Sequence, residues 1–166
     1  MADLFRNAGD EEEDDMKGRF LTFQVDRELF GIELRNVMEI VGIQPITQMP
    51  EMPDYIKGIV NLRGKIIPVM DVRLRFGKSA IEYHDRTCII VIDFDGISIG
   101  LIVDSVSEVL AIPDADIAEK PEISSMRSRG YINNIGKIGE RVILLLDCQK
   151  LLSGEELSLV ASDTDM

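Results

Sequence analysis

The chain repeats itself, and the repeat limits the folds open to it more than any other feature. "FGIELRNVMEIV" (30–41) lies over "IGLIVDSVSEVL" (99–110), with Gly31 on Gly100, Val37 on Val106 and Glu39 on Glu108. At the same offset Asp26, which closes "LTFQVD", falls on Asp95. "YIKGIVNLRGKIIPVMD" (55–71) lies over "YINNIGKIGERVILLLD" (131–147), Tyr on Tyr and Asp on Asp, at an offset about seven residues larger. The extra residues fall in the polar, proline-bearing "IPDADIAEKPEISS". A unit this small buries too little to stand alone, so the two copies are expected to pack as lobes about a pseudo-dyad, with an apolar interface and a groove between them.

Each unit reads as β. "FLTFQVD", "ELFGIEL", "GKIIPVMDV", "TCIIVIDF", "ISIGLIVD" and "RVILLLD" are short runs rich in Val, Ile and Phe, separated by Gly, Asp and Asn. That pattern predicts an all-β barrel or sandwich with short helices. Asp95-Gly96 between two such runs predicts a two-residue hairpin, because glycine accepts the positive φ of a type I′ turn. Short helical pieces are expected in "LRNVMEIV" and "VDSVSEVL" and after the strands at "MDVRLRF" and "LDCQKLLSGEEL", with "EELSLV" packing back on the body. The organisation expected is an acidic, disordered arm over residues 1–17, one two-lobed domain over 18–159 and a frayed end over 160–166.

Charge and residue inventory narrow the chemistry. Thirty acidic against 18 basic residues give a net charge of −12, which repels a phosphate backbone or an anionic membrane surface. A membrane-surface role would also need a basic amphipathic helix, which the sequence lacks. The apolar runs fall short of the roughly 18 residues that span a bilayer, and no signal peptide opens the chain, so a cytoplasmic location is expected. Cys88 and Cys148 stand in apolar runs outside any CxxC pattern and read as buried thiols. The one histidine, His84, sits in the polar turn "EYHDRT", and neither a nucleophile elbow, a zinc ligand cluster nor a phosphate-binding glycine loop accompanies it. No cofactor, metal or catalytic residue is expected. A small β-barrel enzyme working through paired carboxylates is the rival from another class.

Binding remains. In "GIVNLRGKIIPV" a tight turn is expected between two strands, with Asn61 taking an unusual backbone angle, Gly64 opening the next strand and Arg63 projecting. A guanidinium on a rigid turn suits protein recognition; it also suits an internal acid such as Glu39, and the residues alone leave both readings open. Gly58 and Arg63 become Asn134 and Gly139 in the second copy, which marks the first copy as the specialised one.

"GIELRNVMEIV", the run from Pro50 through "YIKGIVNLRGKIIPVMDVR", and "GLIVDSVSEVL" together resemble CheW, the coupling-protein family of bacterial chemotaxis arrays, over roughly Gly18 to Leu159. The resemblance implies two intertwined SH3-like five-stranded barrels. It implies a non-enzymatic adaptor between the cytoplasmic tips of methyl-accepting chemoreceptors and the regulatory C-terminal domain of the histidine kinase CheA, monomeric when free and built into rings in membrane-associated arrays. A scaffold of another CheA-type pathway, not controlling motility, would look the same. Carried over position by position, Glu39, Gly58 and Arg63 match receptor-contact positions, and Leu21, Leu34, Val37 and Ile40 match an apolar patch that meets the kinase; taken singly, such aliphatic residues also suit a core, and Gly58 also suits a turn. Arg63→His or Gly58→Asp is then expected to uncouple kinase from receptor with folding intact. The acidic arm, and Met38 where a polar residue is frequent, depart from the family pattern and bear on partner choice.

Overall fold

The apolar runs fold as strands, in a computed structural model that describes residues 16–119 and 130–152. In order they are β1 (Arg19–Val25), β2 (Glu28–Glu33), β3 (Val37–Gly42), β4 (Ile56–Leu62), β5 (Lys65–Asp71), β6 (Cys88–Phe94), β7 (Ile97–Val103), β8 (Ser105–Ala111), β9 (Ile117–Glu119), β10 (Ile132–Ile138) and β11 (Arg141–Leu146). Helix α1 (Val72–Arg75) follows β5 and α2 (Cys148–Leu151) follows β11, as expected from "MDVRLRF" and "LDCQKLL". The expected arm, the segment 120–129 and the C-terminal "EELSLV" fall outside the described residues, apart from the last residues of the arm.

The strands form two sheets, ordered β8-β1-β2-β11-β10-β9 and β3-β6-β7-β5-β4. Under the repeat β1, β2 and β3 correspond to β6, β7 and β8, and β4 and β5 to β10 and β11. Each sheet therefore pairs the first two strands of one copy with strands of the other, β1 and β2 with β8 to β11 in the six-stranded sheet and β6 and β7 with β3 to β5 in the five-stranded one, so the copies are woven through one another. Strands of different copies meet in four pairings: β1 with β8 and β3 with β6, both antiparallel, and the two parallel joins, β2 with β11 (Gly31 opposite Leu145) and β5 with β7 (Val69 opposite Gly100). A side chain at the parallel joins would displace its neighbours: a Cβ at Gly31 would lie 2.9 Å from a Leu145 methyl, and one at Gly100 would lie 2.7 Å from an Ile89 methyl. Even the irregularities repeat, since the bulge between Ile56 and Gly58 recurs between Ile132 and Asn134. The extra strand β9 has a vestige in the first copy, the bridge of Thr47 to Ile59, which stands where Ala118 pairs with Ile135.

Packing follows the weave. Val60, Leu62, Ile67, Val69, Ile89, Val91 and Ile102 fill one barrel, while Phe20, Ile112, Ile143 and Leu145 fill the other. A larger core between the sheets draws on both, from Phe23 and Phe30 to Met70, Leu101 and Leu146. Strand β6 lies in both interiors, with Ile89 and Val91 in one barrel and Ile90 and Ile92 in the shared core, and so its sequence is apolar without alternation. Each hairpin ends in a capping aspartate: Asp71 accepts from the Leu74 N–H at 3.3 Å and Asp147 from the Gln149 N–H at 2.9 Å. Asp71 is buried and also accepts from the Tyr83 hydroxyl at 2.8 Å; burial first, and then this carboxylate, hold the phenol's pKa well above its ordinary value.

Two helical expectations are corrected. "LRNVMEIV" gives a single 3-10 turn, Leu34–Asn36, and then strand β3; "VDSVSEVL" gives strand β8. Both strands carry a bulge, between Val37 and Glu39 and opposite the step from Leu21 to Phe23. One extra residue breaks the alternation of two and imitates a helical spacing, while the β-branched side chains favour the strand.

Candidate interaction site

Strands β4 and β5 are joined by the two residues Arg63 and Gly64, both at positive φ, 52° and 88°. The unusual backbone angle expected at Asn61 thus falls on Arg63. Asn61 stays in β4, and its Oδ1 accepts from the Gly64 N–H at 2.8 Å, bracing the turn from beneath. At the equivalent place the second copy has Gly139, at φ 60°. The turn wants glycine there, and an arginine held in that conformation costs about 1–2 kcal/mol.

The arginine pairs with the acid that its sequence left open. The Arg63 guanidinium donates to Glu39 Oε2, and this hydrogen bond, with the charge behind it, pushes the guanidinium pKa still higher. Glu39 lies on β3 and Arg63 follows β4, the two outer strands of the five-stranded sheet. The pair therefore reaches across the seam of a curled sheet. Arg63 nevertheless keeps 73% of its side chain exposed, against 29% for Glu39. The arginine answers an internal acid and still faces solvent.

Gly58 plays a different part. Its φ is 143°, and a Cβ there would stand 2.1 Å from the Thr47 carbonyl oxygen. The bare α-carbon lets Thr47 close on β4, where Thr47 and Ile59 exchange two backbone hydrogen bonds of 2.9 Å. The expectation that Gly58→Asp leaves the fold intact is corrected on that ground.

The four aliphatic positions divide by depth. Leu21 is 3% exposed and belongs to the shared core; Leu34 and Val37 are half-buried and packed against that core. Ile40 is 41% exposed on the outer strand β3, beside Met38 at 54%. Ile40 and Met38 are thus accessible apolar residues, while Leu34 and Val37 pack against the core to which Leu21 belongs.

The groups that carry chemistry elsewhere are otherwise occupied. His84 Nδ1 accepts from the Arg86 N–H within its own turn. Burial pushes the Cys148 thiol up to about 12, against the opposing hydrogen bond from Asn36 Nδ2, so it stays protonated at neutral pH. Among the described residues no group of three or more His, Cys, Asp or Glu could hold a metal ion, and no helix is long and apolar enough to cross a membrane.

One site residue escaped the sequence. Glu108, the counterpart of Glu39, pairs with Arg141 at 3.0 Å, so the second barrel keeps an acid–arginine contact too. Arg141 aligns with Lys65 and not with Arg63, which is why the repeat conceals it; only the sheet geometry returns it to the same acid.

Comparison with known proteins agrees with this architecture. Residues 19–156 match the family model described as the CheW-like domain. The chain is 39% identical over 141 residues to the chemotaxis protein CheW of Klebsiella aerogenes, covering 85% of each chain. It is 30% identical over 152 residues to that of Treponema pallidum, covering 89% of each. The crystal structure of the scaffolding protein TtCheW from Thermoanaerobacter tengcongensis superposes with a TM-score of 0.77 at 33% identity, over 84% of this chain and 94% of that one. With a family model spanning the described fold and relatives matched over most of their length, the chain belongs to the CheW-like domain family.

Proposed function

We propose that the chain is a non-enzymatic adaptor that couples the cytoplasmic tips of methyl-accepting chemoreceptors to the regulatory domain of the histidine kinase CheA. It is monomeric when free and enters rings within membrane-associated arrays. Receptor helices dock at the seam of the first barrel, where Arg63 and Glu39 fix their orientation. The strip of Val37, Ile40 and Leu34 holds the kinase domain, with Leu21 beneath it. Receptor movement then biases the kinase through contacts that differ between its two states, with no covalent step.

The observation that carries this reading is Arg63, held in a backbone conformation that suits glycine, with its guanidinium mostly in solvent. An exposed ion pair adds little net stability because water screens it, so Arg63 can exchange Glu39 for a partner's carboxylate or carbonyl at small cost. Gly58 shapes this site through Thr47.

Reconstitution tests it: CheA and a receptor signalling fragment, with and without this protein, beside Arg63→His. Strong activation by the unaltered chain, lost in a folded Arg63→His, is expected; activation that survives the substitution would remove Arg63 from the site, and none from the unaltered chain would remove the adaptor role. The kinase strip has its own test. Ile40→Asp places a charge in an apolar contact and is expected to weaken binding of the kinase regulatory domain by about tenfold or more. An unchanged affinity would place the kinase elsewhere.

A further inference from the structure

Arg75 ends α1, and its guanidinium lies between two rings, with Cζ 4.4 Å from the Tyr55 centroid and 5.0 Å from that of Tyr131. These are the equivalent tyrosines of the two copies. Each stands just before the bulged strand of its hairpin, and each carbonyl accepts from the aspartate that ends that hairpin: Asp71 N–H to Tyr55 O at 2.7 Å and Asp147 N–H to Tyr131 O at 2.8 Å. Arg75 Nη2 also donates to the Leu151 carbonyl at the end of α2, 3.2 Å away. Leu151 is the residue on which Arg75 falls under the repeat. The contact therefore crosses the pseudo-dyad, with the cation supplied by one copy and a carbonyl by the other.

The surrounding contacts connect this point to both ends of the proposed mechanism. Helix α1 continues directly from the β4–β5 hairpin that carries Arg63. On the other side α2 begins at Cys148, whose Sγ accepts from Asn36 Nδ2 at 3.6 Å. Asn36 closes the turn by which the chain leaves the first sheet for the second, and the kinase-strip residues Leu34 and Val37 open and follow that turn. The core between the lobes is apolar and has no direction; direction comes from the strand pairings that weave the copies together and from ion pairs such as Lys78 with Glu28 at 3.1 Å. The Arg75 guanidinium, over two rings and hydrogen-bonded to a third element, adds a directional contact between the two hairpin ends.

We propose that Arg75 is a positioning residue for signal transfer: it locks the Arg63 hairpin of one lobe to the helix that supports the Leu34–Val37 strip, so that displacement at the receptor side reaches the kinase side. The proposal rests on the adaptor reading above and adds the route within it.

The experiment uses the full chain with Arg75→Met, which keeps length and packing but removes the cation and its donors, and with Arg75→Lys, which keeps the cation. Binding of the receptor fragment and of the kinase regulatory domain is measured separately, beside receptor control of kinase activity. Arg75→Met is expected to bind each partner as the unaltered chain does, while receptor control falls by about fivefold or more; Arg75→Lys is expected to recover part of it. Full control in a folded Arg75→Met would overturn the proposal, as would a loss of both binding steps in proportion to control. If Arg75→Met does not fold, Tyr131→Leu removes one ring and leaves the Tyr55 and Leu151 contacts, and undiminished control there would overturn it equally. An unaltered chain that transfers no control would overturn this proposal and the adaptor reading together, whereas loss confined to the variants separates the two.

Discussion

Gly58→Asp is expected to destabilise the first lobe and to free the segment around Thr47 from β4. The left-handed backbone strain costs about 1–3 kcal/mol for any L side chain. Pushing the Thr47 carbonyl away from a Cβ that would lie 2.1 Å from it also breaks both Thr47–Ile59 hydrogen bonds, at about 1 kcal/mol each. Urea unfolding and amide exchange at Thr47 and Ile59 check this: a lower midpoint and faster exchange are expected, and unchanged values for both would show that the segment can yield. Gly58→Ala should lose most of the same stability, because the collision is with Cβ and not with the carboxylate. A functional defect in either variant then reports on the shape of the site, whereas Arg63→His reports on a contact. The second copy clarifies the glycine's purpose. Asn134 occupies the same place and pairs there with Glu119 of β9, so the closer approach of Thr47 belongs to the first barrel alone.

Much of this was legible because the repeat is written in side chains that pack. Gly31 and Gly100, the two tyrosines and the two capping aspartates align in sequence, and they mark the joins, the strand entries and the helix starts. The Asp95-Gly96 hairpin was legible for a local reason: both residues take positive φ, 53° and 81°. The weave was legible only through the family resemblance, because a repeat shows two similar units without saying which strand of one pairs with which strand of the other. Strands β3 and β8 were misread where a bulge altered the period. At the site, the sequence marked Arg63 and Glu39 but left their relation open, since 24 residues separate them and only the curl of the sheet brings its outer strands together. Leu21 joins the apolar patch only through the family resemblance; its place in the shared core depends on the second lobe, which local pattern does not report.

The weave also has a thermodynamic consequence, which Phe30→Ala would expose. Phe30 is fully buried at the parallel join, opposite Leu144 on β11. Its ring lies 5.9 Å from that of Phe23 and 5.2 Å from that of Phe76, which in turn lies 5.5 Å from Tyr131. That ladder runs from the first sheet through the end of α1 and back to β10. Truncating its middle ring is expected to cost about 3–5 kcal/mol, a large share of the roughly 5–15 kcal/mol that holds a domain folded. Because each sheet contains strands of both copies, neither barrel can survive the loss of the other, and the whole loss should appear as one shifted transition. Denaturant unfolding followed by amide exchange in β4 and in β10 distinguishes the cases. Equal loss of protection in both strands is expected; persistence of β4 after β10 has opened would mean that the barrels are separable units.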